Sequence, residues 1–455
     1  MKIIVLGVGN IGYNIAKHLV SSENEITIVD HDRSRLSEVS NILDVRPVFG
    51  YASHPSTLEQ AGAEQADILI AVTNVDEVNL IACEVVHSLF DIETKIARVR
   101  QQNYFEDKYR LTLFQPNNIS IDYLISPEIE IARSISKSIK INGTSDVADL
   151  CDQIKLISVR CLDSSPVINT PLRVLSNLYP LLSMCIVAIQ RQEQTIIPNI
   201  NDVITPNDQV YIVIKEQQAR EVMAAFGYTE QARRRVTIAG CGNIGRTLGK
   251  EIEQALPDVQ LKVIEKDPVC SELGSKLLKH AEILSGDALD SDILREAEIQ
   301  HCDTFIAVTD DDNTNVMAAL LAKYYGASRG ISLLDDMQNA QFVTSLGVDS
   351  IVNQNAITVS TVLKAIRQHK VRSLYAIEGG VEVLEVCVSE SSNIVGMSIE
   401  DIVMPNQVLI ALLKRSDEVH VAPEKFIISV NDYLIFAVSK EMVNKVERLV
   451  SGRYI

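Results

Sequence analysis

The chain lacks any long apolar run. Its 455 residues contain no stretch of ~20 consecutive apolar side chains, the length a membrane-crossing helix needs. The nearest approach, VLSNLYPLLSMCIVAIQ around Cys185, is broken by Asn177 and Pro180. The apolar start is six residues long and turns into a glycine motif, so it reads as a strand, not a signal peptide. Direct membrane insertion is therefore not expected. Positive charge is also scarce: 42 Lys and Arg face 60 Asp and Glu, a formal net charge of −18. Such a chain repels a phosphate backbone, so no nucleic-acid partner is expected. The one basic run, Arg233–Arg234–Arg235, reads as a solvated linker ahead of a domain. The eight cysteines contain no Cys-x-x-Cys and the eight histidines no His-x-x-x-His, which predicts reduced, mostly buried thiols and no metal. There is no Gly-x-x-x-x-Gly-Lys-Ser/Thr, which excludes a P-loop nucleotide hydrolase. Tryptophan is absent too, and that decides nothing about function.

What is present is one pattern written twice. The hexapeptide Gly7, Val8, Gly9, Asn10, Ile11, Gly12 returns as Gly240, Cys241, Gly242, Asn243, Ile244, Gly245. An acid ends the next apolar run in both copies, Asp30 in ITIVDHD and Glu265 in KVIEKD. Gly50 then matches Gly286, Thr73 in ILIAVTN matches Thr309 in FIAVTD, and Asn79 matches Asn315. The stretches that follow each glycine half also resemble each other, pairing Asp208 with Asp432. The order A-B-A-B signals tandem duplicated domains, not a solenoid.

In each A unit, short continuous apolar runs (KIIVLG, EITIVD, RPVFG, ILIAVT, KIARVR) alternate with stretches of helical spacing. Continuous runs suit strands covered on both faces, so the fold class is α/β. Two doubly wound parallel-sheet, Rossmann-like domains are expected, each followed by a small α+β domain of three or four strands. The expected division is 1–125 for the first nucleotide-binding domain, 126–143 for a helical connector and 144–228 for the first small domain. The second set is 229–352, 353–372 and 373–455.

In a glycine hexapeptide of this kind the first glycine permits a tight strand-to-helix turn. The second lets the backbone approach a pyrophosphate, and the third lets helix and strand pack closely. The helix start attracts phosphates. A carboxylate at Asp30 or Glu265 would accept from ribose hydroxyls and repel a 2′-phosphate, which favours NAD(H) over NADP(H), although Arg33 and Arg35 weaken that exclusion in the first half. ATP fits the same crevice through its adenosine and phosphates. Thr73 and Asn74, like Thr309 and Asp310, sit where ligands approach such sheets; Asn74 and Asp310 read equally as helix caps. Asp287 in SGDA would meet an adenine or ribose edge, and the first half has Tyr51 there. Arg98 and Arg100 would reach phosphates, especially across a subunit boundary, or form surface ion pairs.

The order of glycine motif, acid, GD-like turn, IAVTxxDxxN and small C-terminal unit resembles the RCK/KTN (regulator of potassium conductance) family. The tandem layout, and stretches such as ASHPSTLEQAGAEQADILIAVTNVDEVNLIA, are similar to the peripheral nucleotide-binding subunits of bacterial Trk potassium uptake systems. The resemblance covers essentially the whole chain. It implies a cytoplasmic regulatory subunit, peripheral on the inner face of the cell membrane and assembled as a homo-oligomeric ring, a dimer or a tetramer. Such subunits bind NAD(H), and in some members ATP or ADP, and gate a separate potassium-translocating membrane subunit. Carried over, the dinucleotide residues are Gly7, Gly9, Gly12 and Asp30, then Gly240, Gly242, Gly245, Glu265 and Asp287; Tyr51 departs from the family pattern. The alternative is an NAD-dependent oxidoreductase of unidentified substrate. It needs a His, Lys or Tyr that handles a proton at the nicotinamide, and no such constellation is visible, so no catalytic residue is expected.

Overall fold

Glycine turns and buried apolar runs organise the chain into four sheets, as seen in a computed structural model. It describes every residue except 21–23, 116–117, 142, 152, 193, 229–233, 336–339, 367–370, 378, 403–406, 417, 422–424 and 452–455. Arg233, the expected boundary at 229 and positions 367–370 of the expected second connector thus lie outside the described residues.

The first unit runs β1 (Lys2–Leu6), α1 (Asn10–Leu19), β2 (Glu25–Asp30), α2 (Arg33–Ile42), β3 (Arg46–Phe49), α3 (Pro55–Gln60), β4 (Ile68–Ala71), α4 (Asp76–Phe90), β5 (Thr94–Arg98), α5 (Asp107–Leu113) and β6 (Tyr123–Ile125). Its strands pair in parallel in the order β3-β2-β1-β4-β5-β6. Next come α6 (Pro127–Lys140), β7 (Thr144–Cys151), β8 (Ile154–Arg160), α7 (Leu172–Leu178), β9 (Met184–Arg191), β10 (Gln194–Ile196), β11 (Gln209–Lys215) and α8 (Ala219–Ala225). These strands pair antiparallel, β10-β9-β11-β8-β7.

The second half repeats the plan with β12 (Arg235–Ala239), α9 (Asn243–Ala255), β13 (Gln260–Glu265), α10 (Pro268–Leu277), β14 (Glu282–Ser285), α11 (Ser291–Glu296), β15 (Thr304–Ala307), α12 (Asp312–Tyr324), β16 (Arg329–Leu334), α13 (Ala340–Ser345) and β17 (Ser350–Asn353). The parallel order is β14-β13-β12-β15-β16-β17. Then follow α14 (Gln354–Ile366), β18 (Val371–Ile377), β19 (Val381–Cys387), β20 (Val408–Arg415), β21 (Glu418–Val421), β22 (Tyr433–Ser439) and α15 (Val443–Ser451), with sheet order β18-β19-β22-β20-β21. The α/β class and the doubly wound sheets are as expected. Each parallel sheet has a sixth strand, and each small unit five strands where three or four were expected. The additions, such as β6, β10 and β21, are three or four residues long, too short to show a period.

The two halves interlock. Helix α6 forms because Ser126 caps it, Pro127 occupies its first turn beside Glu128 and Glu130, and Lys137 and Lys140 lie in its last turn. Its apolar stripe, Ile131, Ala132, Ile135 and Ile139, is buried not on its own half but against Leu248 and Ile252 of α9 and the second parallel sheet. Reciprocally, Val359, Val362, Leu363 and Ile366 of α14 pack on Ile11, Ile15 and Leu19 of α1 in the first half. The carbonyl end of α6 is held by the second half as well. Arg234 donates to Ile139 O and Lys140 O, and Arg329 to Ser138 O and Thr144 O. Arg234 is therefore a clasp, not a solvated linker. The two antiparallel sheets each have a core of their own and share a third between them, in which Leu156, Val187 and Val213 meet Val383, Ala411 and Ile435.

The repeated acids of the small units are structural. Asp208 accepts from Arg191 Nε and Nη2 at 2.9 and 2.8 Å and from Thr205 N–H at 2.7 Å. Asp432 repeats this with Arg415 at 2.8 and 2.7 Å and Ser429 N–H at 2.7 Å. No described helix is long and apolar enough to cross a membrane.

Candidate functional site

The glycine loops sit at the C-terminal ends of β1 and β12, at the centre of each parallel sheet. Gly7 (φ 91°) and Gly240 (φ 103°) are left-handed, and a Cβ on either would lie 2.9 Å from the backbone at the end of the fourth strand. A Cβ on Gly12 or Gly245 would lie 1.9 or 2.0 Å from the carbonyl oxygen of Gly7 or Gly240. The first and third glycines are thus required by the fold. The middle ones are not. Gly9 and Gly242 have ordinary negative φ, and a Cβ there would meet nothing within 4 Å. No side chain caps α1 or α9, so their first-turn N–H groups remain open to an anion.

The acids tie each loop to its neighbouring strand. Asp30 is buried, and its two oxygens accept from Val8 N–H at 2.7 Å and Asp32 N–H at 2.9 Å. Glu265 makes the same pair of bonds, to Cys241 N–H at 2.5 Å and Asp267 N–H at 2.8 Å. Sequence reasoning gave these carboxylates only a ribose to bind. Each shapes the loop first, and a carboxylate's further lone pairs remain for a ligand.

At the end of the fourth strand, Thr73 is pinned by buried Asn79. The Asn79 Oδ1 accepts from Thr73 N–H at 2.9 Å and Oγ1 at 2.7 Å, and its Nδ2 donates to Thr73 O and Arg98 O. Asn315 does the same for Thr309 and Leu333. The capping expectation for Asn74 and Asp310 is corrected. Helix α12 is capped one residue later by Asp311, and α4 starts after Val75 with no side-chain cap. Asn74 Oδ1 instead accepts from Arg98 Nη1 at 3.4 Å. Arg98 is 6% exposed, its Nε has no partner, and burial, with Arg100 close by, lowers its pKa. Arg100 forms an ion pair with buried Glu128 at 2.8 Å. A cleft of about 740 Å³ opens here, lined by Asn74, Val75, Asp76, Glu77 and Arg100 of the first half and Asn243 of the second.

Asp287 follows β14, exposed, with one oxygen accepting from Leu289 N–H at 2.9 Å; Tyr51 holds the matching place in the first half, also exposed. Sequence reasoning missed Arg246. In the first turn of α9 its guanidinium folds back on the loop, donating to Cys241 O at 2.6 Å and Asn243 Oδ1 at 2.8 Å. The signal was legible: a cation at a helix N-terminus opposes the helix dipole unless an anion joins it. The first half has Tyr13 there. Cys241 is buried, and burial pushes its thiol up to about 11, so it packs rather than reacts. No group of metal-ligating side chains is found among the described residues.

Comparison with known proteins places this geometry. Residues 3–127 and 236–354 match the TrkA-N domain model, and 156–227 and 383–451 the TrkA-C domain model. The chain is 35% identical over 451 residues to the Trk system potassium uptake protein TrkA of Azorhizobium caulinodans, covering 99% of this chain and 98% of that one. It is 36% identical over 456 residues to the protein of the same name from Halomonas elongata, again covering 99% and 98%. Among solved structures, the GsuK RCK domain superposes with a TM-score of 0.61 at 16% identity, covering 99% of this chain and 95% of that one. The GsuK channel bound to NAD gives the same score and identity, covering 99% and 79%. At that identity the likeness is one of fold.

Proposed function

Because the chain belongs to the family of Trk system potassium uptake proteins, we propose that it is a non-enzymatic regulatory subunit. It binds NAD(H), with ATP or ADP as alternative ligands, and sets the open fraction of a separate potassium-translocating membrane subunit. It works as a homo-oligomer on the cytoplasmic face of the membrane.

The observation that carries nucleotide binding is the pair Gly9 and Gly242. A fold that kept its glycines for packing alone has no use for them, since neither φ nor any neighbour demands the missing Cβ. The space they leave open suits a pyrophosphate approaching the N–H groups of α1 and α9. Within this reading Val8, Asn10 and Ile11, with Cys241, Asn243 and Ile244, complete the two phosphate loops. Asp30 and Glu265 accept from ribose hydroxyls. Thr73, Asn74 and Thr309 form the crevice rims, and Arg98 supplies positive charge near the first. His31, Tyr51 and His54 lie together at the ends of β2 and β3, on the adenosine side of the first crevice.

A ligand shifts a conformational equilibrium only by binding one state better than another. Here the helix that starts at each glycine loop is seated on the connector of the opposite half. A tilt of α1 or α9 around bound phosphates is therefore felt by α14 or α6. The test is calorimetry with NADH and with ATP on the full chain and on the double variant Gly9→Ala, Gly242→Ala. Saturable binding that the variant loses, with its circular dichroism unchanged, is the expected result. Equal binding by the variant refutes the pyrophosphate assignment. Potassium flux in vesicles holding the membrane subunit then tests gating, and flux indifferent to nucleotide rejects it.

A further inference from the structure

The two crevices differ most where the base of a nucleotide would lie. Phosphates at the glycine loop and ribose at the β2 acid put the base over the C-terminal ends of β2 and β3, or of β13 and β14. The two sites align there residue for residue. Gly50 N–H donates to Asp30 O at 3.0 Å and Gly286 N–H to Glu265 O at 2.9 Å. Asp32 and Asp267 cap α2 and α10 through the same pair of N–H bonds. Tyr51 and Asp287 each follow the matched glycine.

In the first half this place is aromatic. The rings of His31 and Tyr51 are stacked, 5.9 Å between centroids and 16° apart in plane, and the ring of His54 lies 5.1 Å from Tyr51. Tyr51 is 62% exposed, so a large ring is held in a ladder yet left open. Phe49 beside it is also exposed, with the Arg33 guanidinium 4.3 Å above its centroid. In the second half the matching residues are Lys266, Asp287, Asp290 and, for Phe49, Ser285. Asp290 is used as the cap of α11, while Asp287 gives its turn only one oxygen.

We propose that the first crevice recognises its purine by the face, stacking it on Tyr51, and that the second recognises adenine by its amino edge, through Asp287. This inference rests on the nucleotide-binding reading above. Stacking is indifferent to the hydrogen-bonding edge of a base, because every base has a π-face. A carboxylate can only accept, so it needs the donor that the 6-amino group of adenine supplies.

The probe is 1,N6-etheno-ADP, which keeps the purine face and the phosphates but has no donor on that edge. Titrated into the full chain, ADP fills two sites and etheno-ADP fills one. Tyr51→Ala weakens the etheno-ADP site about tenfold or more, and Tyr51→Phe keeps it. Asp287→Asn retains the turn acceptor and turns a donor toward the base. It weakens ADP at the second crevice about tenfold and opens a second etheno-ADP site. Failure of both ADP and NADH to bind the unaltered chain would refute the nucleotide reading itself, and failure of ADP alone, with NADH bound, overturns this inference. ADP binding at two sites, with etheno-ADP at both or at neither, overturns this inference alone. So does an etheno-ADP site that survives Tyr51→Ala unchanged. Both side chains are exposed, so neither substitution is expected to unfold the chain.

Discussion

Asp30 tests how the crevice is built. Its side chain is 6% exposed, and its two oxygens hold the N–H groups of Val8 and Asp32 at 2.7 and 2.9 Å. Asp30→Asn keeps the size but supplies one acceptor oxygen, and sets an NH2 group against the remaining donor. A hydrogen bond to a charged group contributes about 1.5–3 kcal/mol, and a stranded donor costs about 1–3 kcal/mol. The loop can open toward water, so the low end applies, about 2 kcal/mol. That corresponds to about thirtyfold faster exchange of the affected amide. Native-state hydrogen exchange on the nucleotide-free chain reads this directly at Val8 and Asp32. Nucleotide affinity falls in the same variant, because the loop is no longer held in its binding shape. Glu265→Gln should act alike on Cys241 and Asp267. Lost affinity with unchanged exchange at Val8 and Asp32 would refute the reasoning, since the carboxylate would then serve the ligand alone.

Other outcomes follow from the same geometry. Arg246→Gln should weaken nucleotide binding at the second crevice about tenfold and flatten its salt dependence; calorimetry at two salt concentrations checks both. Burial would raise the carboxyls of Asp208 and Asp432, but Arg191, Arg415 and the backbone N–H groups outweigh it and hold both below the usual range. A folded pKa below the unfolded one means full stabilisation above about pH 4, lost as pH falls through the folded value. Arg191→Gln and Arg415→Gln should therefore move the acid-unfolding midpoint to higher pH by circular dichroism, and an unmoved midpoint would deny these pairs a role. Ile135→Ala, in the first half, should destabilise the second parallel sheet by about 2–4 kcal/mol, seen as faster amide exchange in β12 and β13. An effect confined to the first half would contradict the crossed packing.

Much of this was legible in the chain because it is written twice. The apolar runs, the glycines and the acids each recur at a nearly constant offset, so β1 to β5 and their copies could be read without a structure. The edge strands β6, β10 and β21 could not, since three or four residues carry no period. The connectors show the limit of pattern reading. The stripe Ile131, Ala132, Ile135, Ile139 says that α6 is buried along one side but not on what. The repeated pairs Thr73–Asn79 and Thr309–Asn315 were visible as repeats, yet their role as pins emerges only when the amide is seen to bridge the fourth and fifth strands. Asp30 and Glu265 were singled out for a ribose, and their bonds to the loop were missed, because a backbone donor leaves no mark in a sequence.

The crossed connectors also explain why two unequal crevices occur in one chain. A symmetric pair of single units would bury the same connector stripes, but its two crevices would be identical by construction. Joining the units makes their association intramolecular, at an effective concentration of roughly millimolar for a short linker, and frees each copy to change. Part of the divergence lies where the fold is indifferent. Gly7, Gly12 and their partners Gly240 and Gly245 cannot change without a backbone clash, and Asp30 differs from Glu265 by one methylene while making the same two bonds. Tyr51 corresponds to Asp287, both exposed where the proposed base would lie, while Tyr13, packed against the first core, corresponds to Arg246 at the loop rim. Matched core positions vary as well, as Ile4 and Thr237 do, but the loop glycines and the two acids are held by geometry. Because α9 rests on α6, and α6 leads into β7, the proposed reading has occupancy of the second crevice acting first on the first small unit, and occupancy of the first acting through α14 on the second. Both small units meet in one shared cluster, so on the proposed reading the two inputs converge there.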